Sequence, residues 1–187
     1  DFTLLDGSTT QVDMMYADRA FNVYQGQELQ ALELPYKDEE ISMYFLKPTS
    51  GDVNDLIDNL DFEGFMKIKD GMTPSRYMAY LPKFKVEFKS EKVAGDLHQI
   101  GINRAFSNGA QLAKMGVPGN LKISRVVHKI YLTIDEKGTE GAAVTVGVVS
   151  VRSLPPTIKF DSPFAIVLAD KAGDNILFMG RICDPSK

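Results

Sequence analysis

Arg152 is followed by Ser153, and a bond on the carboxyl side of an arginine is what a trypsin-like protease cuts, its specificity pocket being floored by a carboxylate. The residues before it, Gly138 to Val151, are small or β-branched almost throughout and carry one charge, Glu140. Val and Thr suit a pleated surface, while the Gly and Ala among them leave room for a close neighbour on one face. A segment that can become a strand and ends in protease bait suggests a trap.

The other residues able to do chemistry offer less. Cys183 is the only cysteine, so no internal disulfide forms and it is the only candidate thiol nucleophile. His98 and His128 are the only histidines, too few for a His-rich metal site. In Leu121 to Ile134, alternation places Val126, Ile130, Leu132 and Ile134 on one face with His128, and Arg125, Lys129 and Thr133 on the other. His128 is therefore expected to point into the core as a hydrogen-bonded histidine. A Cys-His hydrolase pair would need the thiol beside it, and nothing in the spacing puts Cys183 there. No Gly-rich phosphate loop occurs. No metal or cofactor is expected, and the chain does not read as an enzyme.

The elements that must position the Arg152 segment are mostly strands. Alternating or continuous apolar runs cover 11–15, 20–24, 29–34, 41–46, 77–88, 121–134, 158–160, 164–168 and 176–182. Helical spacing marks 52–60, 61–68, 90–100 with Ser90 as its cap, and weakly 110–115. Asp38, Glu39 and Glu40 fall in an expected hairpin turn. Pro82 to Phe88 reads as a half-buried strand with Lys83, Lys85 and Glu87 solvated, and the eight methionines read as core filler. The pattern is α+β and antiparallel-rich, with no linker, repeat or low-complexity tract.

Composition narrows the partners. With 187 residues, 44% hydrophobic content and 21 basic against 25 acidic residues, the chain reads as an ordinary globular protein without the field that draws a protein to nucleic acid or an anionic membrane. No apolar run approaches the roughly 20 residues of a membrane helix. The start, DFTLLDGSTT, has neither the basic nor the apolar region of a signal peptide, so a signal was removed or the chain begins mid-protein. No Asn-x-Ser/Thr acceptor occurs.

Six blocks in succession, ALELPYKDEEISMYFL (31–46), YLPKFKVEF (80–88), LHQIGINRAFSNGAQL (97–112), SRVVHKIYLTIDEKGTEGAA (124–143), SLPPTIKFDSPF (153–164) and ILFMGRICDP (176–185), resemble the signatures of the serpins in family order. The chain resembles the C-terminal portion of a single serpin domain over 1–187, a whole serpin being roughly twice as long. The resemblance implies the multi-sheet serpin fold with an exposed reactive loop over about 137–156. It also implies an N-terminal half as a companion chain, since a lone part of a sheet would expose strand edges and apolar faces.

The resemblance further implies a suicide inhibitor, secreted, with a trypsin-like serine protease as partner. The loop is cut at Arg152-Ser153 and inserts into the main sheet before the acyl-enzyme hydrolyses. The hinge Gly138, Thr139, Glu140, Gly141, Ala142 and Ala143 resembles that of inhibitory members, Gly141 and Val144 being departures. If Thr139 faces inward on insertion, so do Gly141, Ala143, Thr145, Gly147 and Val149, all small or medium, and insertion remains feasible. His128, Lys83 and Glu136 fall in the region where the sheet opens, Lys83 and Glu136 as an ion pair. In some serpins a heparin-like glycosaminoglycan binds helices of the N-terminal half, which these residues do not include. The alternative is a non-inhibitory serpin, a carrier, chaperone or storage protein. Bulky, charged or Pro residues would be expected in such a hinge, and none occurs between Gly141 and Val151.

Overall fold

The computed structural model describes residues 1–36, 40–115, 121–136, 154–172 and 175–187. They form two units, one of residues 1–84 with 133–187 and one of 85–132.

In the first unit, β1 (Phe2–Thr3) and β2 (Thr9–Thr10) make a small hairpin. The main sheet is built from β3 (Met14–Gln25), β4 (Leu29–Pro35), β5 (Ile41–Pro48), β6 (Thr73–Pro82), β9 (Thr157–Lys159), β10 (Phe164–Asp170) and β11 (Ile176–Ile182). Its order is β11-β10-β5-β4-β3-β6-β9, antiparallel throughout except for the parallel pair β6-β9. The fold is α+β, as the sequence pattern predicts. Between β5 and β6 lie α1 (Val53–Asn59) and α2 (Phe62–Asp70). Asp52 caps the first by accepting from the Asn54 and Asp55 amides, and Asp61 caps the second by accepting from Gly64.

The central strands β5 and β10 read as unbroken apolar runs because both of their faces are covered. On one face, Tyr44 and Leu46 of β5 pack with Val53, Phe65 and Ile68 of the helices and with Ala165, Val167 and Ala169 of β10. Tyr44 meets Phe65 edge-on at 5.2 Å, and its hydroxyl donates to Glu33 at 3.1 Å. On the other face, Phe164 gathers Phe2, Phe45, Phe84 and Phe160, with ring centroids 5.5–6.4 Å apart.

In the second unit, β7 (Phe84–Ser90) and β8 (His128–Ile134), of which Phe84, Thr133 and Ile134 are counted with the first unit, form a two-stranded ribbon. The helix α3 (Val93–Gln99) ends in a Schellman turn: Gly101, with φ of 91°, donates to His98, and Ile102 donates to Leu97. Short 3-10 turns follow at Arg104–Phe106 and Ala113–Met115.

Several expectations need correction. The run 77–88 is two strands, β6 ending at Pro82 and β7 beginning at Phe84: the Lys83 amide still donates to Asp13 in the register of β3 and β6, and the chain then leaves that sheet to pair with β8. Of 121–134, only His128–Ile134 is strand, and the Ile123 amide goes instead to Ala105. Ser90 ends β7 rather than capping α3, and its hydroxyl accepts from the Lys92 amide. The alternation in β8 holds, since Ile130 and Leu132 are half-buried and Ile134 buried, yet His128 on the same face is exposed. Among the described residues the ribbon has two strands, and burial on that face grows toward Ile134 and fades toward His128. Phe88 at the end of β7 and Met179 on the edge strand β11 are likewise exposed rather than core. Of the acidic turn, Asp38 and Glu39 lie outside the described residues; Tyr36 donating to Ile41 closes the hairpin around them.

Candidate functional site

Two attachments flank the segment from Lys137 to Ser153, and both are to the same part of the first unit. On its N-terminal side, Glu136 accepts from the Lys83 ammonium at 2.7 Å, just where β6 ends. On its C-terminal side, the Met78 amide donates to the Pro156 carbonyl at 2.9 Å. The chain then pairs with β6 in parallel, Met78 opposite Thr157, Ala79 opposite Ile158 and Tyr80 opposite Lys159. Met78 and Lys83 are five residues apart on an extended chain, about 17 Å. The twenty residues from Glu136 to Pro156 could span roughly 65–70 Å if extended. The connection is about four times longer than its anchors require. The segment itself, with Gly138, Thr139, Glu140, Gly141, Ala142, Ala143, Arg152 and Ser153, lies outside the described residues.

Each anchor has its own physics. The Lys83–Glu136 pair is a solvent-facing contact, with side-chain exposures of 37% and 57%. The hydrogen bond from Lys83 holds the Glu136 carboxyl below its ordinary value, and the same bond raises the Lys83 ammonium, helped by the charges of Glu136, Asp13 and Asp135. Gln11, Val12, Asp13, Lys83, Pro185 and Ser186 line an open cleft beside it. The C-terminal anchor is apolar below and charged beyond. Ile158 is fully buried, and past the strand Lys47 reaches across from β5 to bond the Lys159 carbonyl at 2.8 Å and the Asp161 carboxylate at 2.5 Å. The Asp161 carbonyl also accepts from the Thr3 amide. Leu154, ahead of this anchor, is 83% exposed.

Lys83 and Glu136 are thus brought together as the family resemblance implies, whereas His128 sits exposed at the start of β8 in the second unit. His98 has a local structural role: its Nδ1 contacts Asn103 Oδ1 at 2.6 Å and its ring packs on Phe106. Cys183 packs against the helix-side core, and burial raises its thiol pKa, with Arg181 opposing and Asp52 adding to the shift. That environment disfavours the thiolate a nucleophile requires. Among the described residues no group of His, Cys, Asp and Glu could hold a metal. Sequence reasoning missed the Lys47–Asp161 clamp, whose partners are 114 positions apart and leave no periodic signal.

A family model described as serpin (serine protease inhibitor) matches residues 1–185. The chain belongs to the serpin family. An alpha-1-antitrypsin homolog of Cyprinus carpio is 32% identical over the whole chain, which covers 50% of that relative. A solved structure of native protease nexin-1 with heparin superposes with a TM-score of 0.82 at 26% identity, covering 98% of this chain and 50% of the other. A thyroxine-binding globulin complex with thyroxine gives 0.83 at 25%, covering 100% and 50%. The chain spans about half the length of the relatives it matches. The proteins it resembles thus include both an alpha-1-antitrypsin homolog and a thyroxine-binding globulin.

Proposed function

We propose that this chain supplies the reactive loop of a suicide inhibitor of a trypsin-like serine protease, cut at Arg152-Ser153. The observation that carries the reading is the mismatch between anchors and loop. The two ends of the connection are held by Met78 of β6 and by Lys83 just past its end, about 17 Å apart, while the chain between them has some four times that reach. The excess lies in a segment whose residues from Gly141 to Val151 include no Pro and no charge, as a strand that must enter a sheet requires. Arg152 would enter a pocket floored by a carboxylate, with bidentate pairing as the source of selectivity.

The working protein in this reading is 1–187 together with the N-terminal half of the same serpin as companion chain. Apolar side chains in each unit support that: Ile100 and Tyr131 are 73% and 68% exposed in the second, and Leu177 on β11 is 56% exposed in the first. An extracellular site of action follows from the resemblance. A carrier function is the second reading, favoured by the likeness to thyroxine-binding globulin. The two separate on a denaturing gel of the complete protein mixed with trypsin. An inhibitor leaves a stable adduct of higher mass, and mass spectrometry of the cleaved chain finds its new C-terminus at Arg152. A protein that is merely clipped, with no adduct, would refute the inhibitory reading.

A further inference from the structure

Asn108 and Gly109 form the middle of a tight turn in the second unit, which the Ala110 amide closes by donating to the Ser107 carbonyl at 3.1 Å. Asn and Gly are ordinary turn residues, and most such turns do nothing more. This asparagine differs from the others in the chain. Asn22 donates to Glu33, Asn54 accepts from Arg181, Asn59 donates to the Asp55 carbonyl, Asn103 contacts His98 and Asn175 donates to Asp170. Asn108 alone among the described asparagines has no side-chain bond, and it is exposed. It is also the only asparagine of the chain followed by glycine.

The Gly109 amide nitrogen is therefore the nearest nucleophile to a carboxamide that nothing holds, and glycine brings no side chain to crowd it. A peptide amide attacks only after losing its proton, and the surroundings favour that loss. The Gly109 N–H donates to the Ser107 hydroxyl at 3.2 Å, an acceptor for the departing proton. Arg104 donates through Nε to the Gly109 carbonyl at 3.1 Å, which puts a guanidinium within about 6 Å of the same nitrogen. A positive charge at that range favours the ionised amide. The rest of the unit adds to the effect, since residues 85–132 carry eight Lys and Arg against three Asp and Glu in a chain of net charge -4.

We infer that Asn108 is a site of spontaneous deamidation, with the Gly109 nitrogen as nucleophile and Arg104 as the group that stabilises its ionised form. The nitrogen bonds to Asn108 Cγ, the Cγ–Nδ2 bond breaks, and ammonia leaves with the proton that the amide gave up. Water then opens the resulting succinimide at either carbonyl. Attack at Cγ gives aspartate, and attack at the backbone carbonyl gives isoaspartate, in which the chain runs through Cγ. No oxidant or cofactor enters the balance. Either product places a carboxylate four residues from Arg104, where it competes with the Gly109 carbonyl for the guanidinium, and isoaspartate also lengthens the turn 107–110 by one backbone atom. The site is independent of the trapping reading.

The test holds the complete protein in warm, mildly alkaline buffer and follows each asparagine peptide by mass spectrometry, with an isoaspartate-specific methyltransferase to score the isomer. The Asn108 peptide is expected to gain the mass of an amide-to-acid exchange well before the peptides of the five bonded asparagines. Gly109→Ala should slow the reaction severalfold with the unfolding temperature unchanged, because a Cβ there would meet only the Ser107 hydroxyl oxygen, at 3.5 Å. Arg104→Gln should slow it about threefold, the effect of one charge at about 6 Å in water. Absence of conversion at Asn108 in the folded protein, or a parent-like rate in Gly109→Ala, would overturn the site. An Arg104→Gln rate equal to the parent's would overturn the part given to the guanidinium. Conversion confined to temperatures at which the protein unfolds assigns the reaction to the unfolded chain and overturns the inference as well.

Discussion

Replacing Ile158 by Ala should release the C-terminal anchor of the loop while leaving the rest of the sheet in place. The three-residue strand β9 has one fully buried side chain, Ile158, between the exposed Thr157 and Lys159. Among the described residues it sits at the end of the sheet, paired with β6. Ile→Ala removes three carbons from a fully buried position, about 2.4 kcal/mol of transfer free energy, and the cavity left behind brings the cost to about 2–4 kcal/mol. The ladder it supports contributes net about 1 kcal/mol per hydrogen bond over a handful of bonds, so the loss is comparable to everything else that holds the strand locally. Opening of β9 frees the Met78 amide from the Pro156 carbonyl, which makes that amide the reporter. Its native-state hydrogen exchange should quicken by roughly 30- to 700-fold, a factor of ten for each 1.4 kcal/mol. Amides of β5 and β10 should hold their protection, and Thr157→Ala should leave Met78 near the parent rate. Unchanged exchange at Met78 in Ile158→Ala, or an equal effect from Thr157→Ala, would refute the argument that one side chain secures this end of the loop.

Thr139→Arg should convert the inhibitor into a substrate, because insertion would bury an unpaired guanidinium at a cost of at least several kcal/mol, about the size that stalls a strand at its first step; equal yields of covalent adduct from variant and parent would sink the idea. Cutting the loop between Val146 and Arg152 should raise the unfolding temperature of the complete protein, since a freed hinge gains strand pairing, and an unchanged or lower temperature would argue for a non-inserting member. Arg152→Ala should slow trapping of trypsin by more than a hundredfold, about 3 kcal/mol, without altering stability, and trapping at the parent rate would show the reactive bond to be elsewhere. The Lys83–Glu136 contact should have two pH limits. The Glu136 carboxyl is lowered from 4.5, so its share is present above that value and is lost as pH falls through the lowered one. The Lys83 ammonium is raised from 10.5, so its share is complete below that value and is lost as pH rises through the raised one. An NMR titration placing the Glu136 carboxyl at or above 4.5, or finding no change in it on Lys83→Ala, would contradict the pair.

Local pattern was enough for most of the elements. The apolar runs of β5 and β10 and the helical spacing of α1 and α2 depend on neighbours within a few residues, so periodicity reveals them, whereas β3 reads in sequence as two runs, 11–15 and 20–24, and β6 as one run with β7, because only pairing with a remote strand fixes where a strand begins and ends. Lys83 and Glu136 could be named as partners only through resemblance, since nothing local tells one solvated charge from another. The error at His128 has the same root: alternation states which face a residue shares, but whether that face is covered depends on elements remote in the chain, and at the start of β8 it is not.

The sequence by itself determined the α+β class, the family and the segment most able to do chemistry, because those rest on residue type, order and spacing. Only the tertiary structure decided that Met78 of β6 and Lys83, just past the end of that strand, hold the two ends of that segment and that Lys47 clamps Asp161 beyond the second end. Each of these is a contact between positions far apart in the chain, fixed by strand register and packing, and a register that joins remote strands is written in no single stretch of residues.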